Sequence, residues 1–193
     1  MKTLKICGEK VKIAESWLEL TTGTWAKLME ITDESSEVEL IAALTGLSIA
    51  DLNESKDTNV DLKVFAVTDW YAQPLDFSAL KQAKKITVDG KTVNVPKDLG
   101  FKTLGQKIIL QQKIKKPEGK LSQLVPYAFA VYIAPEVYGK DYDLENVGDF
   151  LIEHVNNLPI VSVFPIASFF LKKSIDYMSS RVKSYTEIQM AIR

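Results

Sequence analysis

Ile86-Thr87-Val88-Asp89-Gly90-Lys91-Thr92-Val93-Asn94-Val95 alternates, turns and alternates again. Apolar residues at every second position mark a strand with one buried face, because successive side chains point to opposite sides of the pleat. Asp-Gly between two such runs predicts a two-residue hairpin turn of type I′, whose central residues both need positive φ. The pattern stands a second time 82 positions earlier. There Leu4-Lys5-Ile6-Cys7 alternates, Gly8-Glu9 is expected to turn, and Lys10-Val11-Lys12-Ile13 alternates again. Glycine recurs at the matched position because it adopts positive φ without a steric cost.

The match extends beyond the hairpins. Residues 2–28 align without a gap on residues 84–110, with Lys2 on Lys84, Gly8 on Gly90, Val11 on Val93, Thr21 on Thr103, Gly23 on Gly105 and Leu28 on Leu110. Leu4/Ile86, Ile6/Val88, Ile13/Val95 and Trp17/Leu99 pair conservatively. The identities are few, but the matched residues have structural roles. They predict an α+β, predominantly helical fold of two β-hairpin-plus-helices units related by internal duplication. Residues 1–80 form the first unit and 81–193 the second, ending in a long helix; the two can also merge into one compact domain. A single hairpin is marginal in water, so the hairpins either join as one four-stranded sheet or each lie against helices.

In each unit a Thr-x-Gly follows the hairpin. Thr21 or Thr22, and Thr103, are expected N-caps, since a hydroxyl accepts from a free N–H of the first turn. The helices they open are expected over 23–31, with Trp25, Leu28 and Met29 on one face, and over 104–114, with Leu104 and Ile108 on one face. Residues 34–44 predict a helix that stops at Thr45-Gly46, and Ser48 caps one further turn. Residues 59–71 carry Leu62, Phe65, Ala66 and Trp70 at helical spacing, and 73–77 cross between the halves. In the second half 115–120 is a loop. Ser122 is expected to cap a helix through Ile133 that Ala134-Pro135 ends. Residues 144–156 show an apolar stripe of Val147, Phe150, Leu151 and Val155. Asn157-Leu158-Pro159 breaks the chain before a helix over 160–183, and the last ten residues form a tail or arm.

The 193 residues, 46% hydrophobic and 25% charged, suit an ordinary globular protein that buries roughly 70% of its extended surface. Net charge is −1, which supplies no global field for nucleic acid or an anionic membrane. A single cysteine, Cys7, excludes an internal disulfide and fits a reducing compartment. The N-terminus lacks the apolar run of a signal peptide. The longest apolar stretch, 158–171, is interrupted by Pro159, Ser162, Pro165 and Ser168 and is too short to span a bilayer, so it reads as a buried helix.

Residue chemistry points away from catalysis. His154 is the only histidine, and a catalytic or metal-bound histidine needs partners. Gly90-Lys91-Thr92 ends like a phosphate-binding loop, but Lys85 stands where that loop needs its first glycine and a strand follows instead of a helix. Asp141, Asp143 and Glu145 have spacing like a calcium loop, but Asn146 and Ile152 replace its glycine and terminal Glu. Lys113, Lys115, Lys116 and Lys120 form a basic cluster without interleaved aromatics and read as a solvated loop. No catalytic residue, metal or cofactor is therefore expected. Most aromatics belong to the core, but Trp and Tyr are also favoured at interfaces. Trp17, Trp25, Trp70, Tyr127, Tyr132 and Tyr138 are the candidate interface residues.

Ile13-Ala14-Glu15-Ser16-Trp17-Leu18-Glu19-Leu20-Thr21-Thr22-Gly23 resembles a motif of small proteins of tailed phages infecting Bacteroides-type gut bacteria, including crAss-like phages. The family's form is roughly apolar-Pro-x-Ser-Trp-x-Glu-apolar-Thr-apolar-Gly after a hairpin with a glycine turn. Val95-Pro96 and Thr103-Leu104-Gly105-Gln106 are similar to it in the second unit. Ala14 replaces the usual Pro in the first, and Leu99 the usual Trp in the second. The resemblance covers about a third of the chain and implies a non-enzymatic virion structural or adaptor protein. Its implied partners are other particle proteins, in several copies of a symmetric assembly. Its implied location is the virion, and the host cytoplasm during assembly, with no membrane or nucleic-acid partner. A transient tail-assembly chaperone that binds a tape-measure or tail protein, and a small-substrate enzyme with an unrecognised site, are the alternatives.

Overall fold

The computed structural model describes residues 1–73, 75–97, 104–115, 120–139 and 142–191. Strands β1 (Lys2–Ile6) and β2 (Glu9–Ile13) form one antiparallel hairpin, and β3 (Lys85–Val88) and β4 (Lys91–Asn94) form the other. They remain separate two-stranded sheets. The registers coincide under the 82-residue shift, with Ile6 opposite Glu9 and Val88 opposite Lys91. The first turn falls one residue earlier than expected: Cys7 and Gly8 are its central residues (φ 53° and 84°), matching Asp89 and Gly90 (φ 51° and 69°). A type I′ turn needs two successive positive φ values. Gly8 supplies the second, so the residue before it takes the first. Ile6, Val11 and Ile13 of the first sheet and Ile86 and Val88 of the second are buried.

After the hairpins the chain is mainly helical: 58% of it is helix, which makes the fold α+β with helix predominant. Helix α1 (Thr22–Leu28) is capped by Thr21, whose hydroxyl accepts from Thr24 N at 3.2 Å. Trp25 and Leu28 are buried, but Met29 caps the C-terminus and is exposed. Helix α2 (Glu37–Thr45) starts three residues later than expected because Ser36 and Glu39 form a capping box. It ends at Gly46, φ 77°. Ser48 caps α3 (Ile49–Asn53). In α4 (Val60–Thr68) the buried stripe is Val60, Val64 and Val67, while Leu62 and Ala66 face solvent. The valines have the i, i+4, i+7 spacing of one helical face. A 3₁₀ turn (Asp69–Ala72) follows.

Helix α5 (Leu104–Lys115) starts at the position matched to the start of α1. Its buried side includes Gln106 and Leu110, whereas Ile108 is exposed. Helix α6 (Leu121–Tyr138) is the centre of the core, with Val125, Ala128, Phe129 and Ile133 all fully buried. It corrects two expectations. Ser122 lies buried inside the first turn and does not cap it, and Pro135 does not stop the helix, which runs to Tyr138 and ends before Gly139 at φ 101°. Helix α7 (Val147–Glu153) stands between 3₁₀ turns (Leu144–Asn146 and Val155–Asn157), where a single longer helix was expected. Helix α8 (Ile160–Ala191) absorbs most of the expected tail; no Gly or Pro follows Lys183, so nothing in the local sequence stops it. Thr103, Leu99, Asp141 and residues 116–119 lie outside the described residues.

One hydrophobic cluster runs through both halves. Segment 20–23 is fastened to segment 156–160. Thr22 donates both its N–H (2.8 Å) and its hydroxyl (2.9 Å) to Leu158 O, and Ile160 N donates to Leu20 O at 2.9 Å. Gly23 lies against Asn156 so closely that an added Cβ would stand 3.1 Å from Asn156 Cβ. An aromatic chain reinforces the join. Trp17 packs on Trp70 (5.0 Å) and Phe77 (5.9 Å), Phe77 on Phe164 (4.5 Å), and Phe164 on Trp25 (5.8 Å). The indole N–H groups of Trp17 and Trp70 donate to Gln73 O (2.8 Å) and Ala14 O (3.0 Å).

Candidate functional site

The second hairpin's Asp-Gly turn reaches the end of α6, and this junction gathers the polar and aromatic groups that the core leaves at the surface. Tyr138, on the last turn of α6, donates its hydroxyl to Asp89 Oδ2 at 3.2 Å and lies 2.9 Å from His154 Nε2. Which of Tyr138 Oη and His154 Nε2 donates is set by the imidazole tautomer. His154 Nε2 also lies 3.6 Å from Glu153 Oε2. Lys91 follows the turn glycine and places its ammonium 4.9 Å above the Tyr138 ring while donating to Val137 O at 3.4 Å.

Beside this chain lies an open recess of about 480 Å³ between the end of α6 and α7. Tyr138 and Tyr142 stack at 5.5 Å, and Phe150 meets them edge-on at 5.8 and 6.3 Å. Helical spacing explains the wall: Asp149 and Glu153 are four apart, as are Phe150 and His154, so each pair shares a face. Tyr142 is fixed by its hydroxyl donating to Asn146 O at 2.8 Å. Desolvation first, and then Asp89, raises the Tyr138 phenol above its ordinary pKa. Tyr142 is raised by burial and then by Tyr138, Asp149, Asp143 and Glu153. Both phenols therefore stay protonated at neutral pH and act as hydrogen-bond donors and ring surfaces, not as bases.

Among the candidate interface residues, Tyr138 is the one that stands exposed, at 41%. Trp25 and Tyr132 are core residues, 1% and 3% exposed, and are thereby out of a partner's reach; Tyr132 stacks on Phe170 at 3.7 Å. Trp17, Trp70 and Tyr127 are half-buried. The first two belong to the aromatic chain, and Tyr127 carries Lys113 Nζ 5.5 Å from its ring. Asp89, Tyr142, Phe150 and His154 were not joined to Tyr138 by any sequence signal. The turn lies about fifty residues away, and only the fold brings it to α6.

A larger concavity of about 760 Å³ lies between the first hairpin's turn and α3–α4. Lys5, Lys56 and Lys63 stand there among Glu9, Asp51, Glu54 and Asp57, and Lys63 pairs with Asp57. Its charges are of both signs, so it offers no single class of ligand a matching field. Cys7 contributes a weak S–H contact to Asp51 O at 3.6 Å. Among the described residues no group of His, Cys, Asp and Glu is arranged to hold a metal ion, and no helix is long and apolar enough to cross a membrane. No protein-family model, curated protein or solved structure matches the chain.

Proposed function

We propose that the chain is a non-enzymatic structural or adaptor protein of a tailed bacteriophage particle, built from a duplicated hairpin-helix unit, that binds other particle proteins. The observation that carries this reading is the use made of the 13–23 stretch, the stretch that resembles the phage motif. Trp17 is tied to Gln73, Thr21 caps α1, Thr22 holds Leu158 and Gly23 admits Asn156. Every one of these roles is architectural, as a scaffold motif requires, and none presents a reacting group. The equal hairpin registers support the duplication. The outward-facing polar and aromatic surface at Tyr138 supplies a place for a partner, since Tyr combines a large apolar face with a hydrogen-bonding tip.

Mass spectrometry of density-purified particles tests the reading. The chain is expected at a stoichiometric ratio to a structural protein. Its presence in infected cells but absence from finished particles would move it to the transient assembly chaperone, and its absence from both fractions would remove the phage reading.

A further inference from the structure

Building on the protein-binding reading, we propose that the recess between the end of α6 and α7 receives a lysine or arginine side chain of a partner protein. Two independent features point to a cation. The walls are aromatic, and a ring face attracts a cation through its quadrupole. The rim is carboxylate: Asp143, Asp149 and Glu153 line the recess, and among the described residues no lysine or arginine pairs with any of them. Neither feature alone would suffice. Together they give the two-part chemistry of a basic side chain, an aliphatic stem for rings and a charged head for carboxylates.

The molecule already makes one such contact, since the Lys91 ammonium lies over Tyr138. Lys91 takes a face of that ring and Phe150 is buried, which leaves the half-buried Tyr142 as the ring for an incoming cation. The negative field converges on the same place: Asp149, Asp143 and Glu153 each help to hold the Tyr142 phenol protonated. The net charge of the whole chain is −1, so the attraction is local and acts within about a Debye length of 10 Å. The recess is open on one side, which lets a polypeptide lie across it and insert one side chain. A closed cage would instead suit a small quaternary ammonium ion.

The test is a titration of the full-length, isotope-labelled chain with a capped Gly-Arg-Gly-Lys-Gly peptide, followed by amide chemical shifts. A control peptide carries citrulline and acetyl-lysine in place of the two basic residues. The basic peptide is expected to shift amides over residues 142–154, and the control to shift none. The exposed substitutions Asp143→Asn and Asp149→Asn together are expected to weaken binding about fivefold or more, with the spectrum otherwise unchanged. Tyr142→Ala is expected to abolish it. Equal shifts from the control, shifts spread over other carboxylates, or unchanged affinity in the double Asn variant would each overturn the proposal. Saturable binding of tetramethylammonium without peptide binding would also overturn it. If the peptide does not bind but the chain is present in purified particles, the recess assignment fails and the adaptor reading stands. If the peptide binds but the chain is absent from particles, the reverse holds.

Discussion

Gln106 donates its side-chain Nε2–H to the backbone carbonyl of Val131 at 3.0 Å, inside the core. Pro135 explains the contact. A helical proline has no N–H to give to the carbonyl four residues back, and four residues before Pro135 is Val131. The Gln106 amide takes the place of the missing backbone donor, so α6 continues through Pro135 to Tyr138 and carries the site residue at its end. Removing the amide with Gln106→Leu is expected to cost about 1–3 kcal/mol, the range for a buried polar group left unpaired. Adding Pro135→Ala restores a backbone N–H, so the double variant should recover part of that loss. Urea denaturation of the four chains of this cycle measures it; purely additive effects would contradict the compensation.

Gly23 is required by proximity. Gly23→Ala places a methyl 3.1 Å from Asn156 Cβ and 3.3 Å from its carbonyl oxygen, and the neighbour is partly backbone. The expected cost is ~1–3 kcal/mol, the usual cost of overpacking. Thr22→Val removes only the hydroxyl's bond to Leu158 O and should cost about 1 kcal/mol. Thermal unfolding of both variants ranks the two effects.

Ser36→Ala removes the hydroxyl half of the capping box that starts α2, in which Ser36 Oγ accepts from Glu39 N at 3.3 Å, and keeps the half in which the backbone N–H of residue 36 donates to Glu39 Oε2 at 2.6 Å. About 1 kcal/mol of stability is expected to be lost. Ser36→Asp should retain most of it, because a carboxylate caps as well as a hydroxyl and complements the helix N-terminus. Denaturant midpoints of the two variants give the comparison.

Tyr132 supplies a stability change in alkali. Burial pushes its phenol up to about 12, against 10.0 for an ordinary tyrosine, while its contact with Ser174 acts in the opposite direction. The folded state thus holds the proton more tightly than the unfolded state. That contribution is fully present below pH 10 and is lost as pH rises through about 12. Tyr132→Phe should flatten this part of the stability profile, and ultraviolet titration of tyrosinate should show one late-titrating group missing.

The elements with short-range signals were legible in the sequence. Asp89-Gly90 between alternating runs marked a hairpin, Gly46 marked a helix end, and Thr21 and Ser48 marked helix starts. Ser36 and Glu39 were equally legible as a capping box, although the helix was expected from Glu34. Pro135 misled for a physical reason: its local preference was overridden by a side chain from α5, a tertiary contact that no window contains. The site was less legible still. Tyr138, Asp89 and His154 each stood out, respectively as a surface aromatic, a turn residue and a lone histidine, but their convergence depends on how the second hairpin sits on α6. Tyr142 and Asp149 carried no signal of their own.

The most direct measurement compares hydrogen exchange of the isolated chain with that of the same chain inside purified particles. The account predicts protection gained over residues 138–154, where Tyr138 and α7 meet a partner, with little change at the first hairpin's strands. Unaltered exchange over 138–154 in a chain that is present in the particle would contradict it.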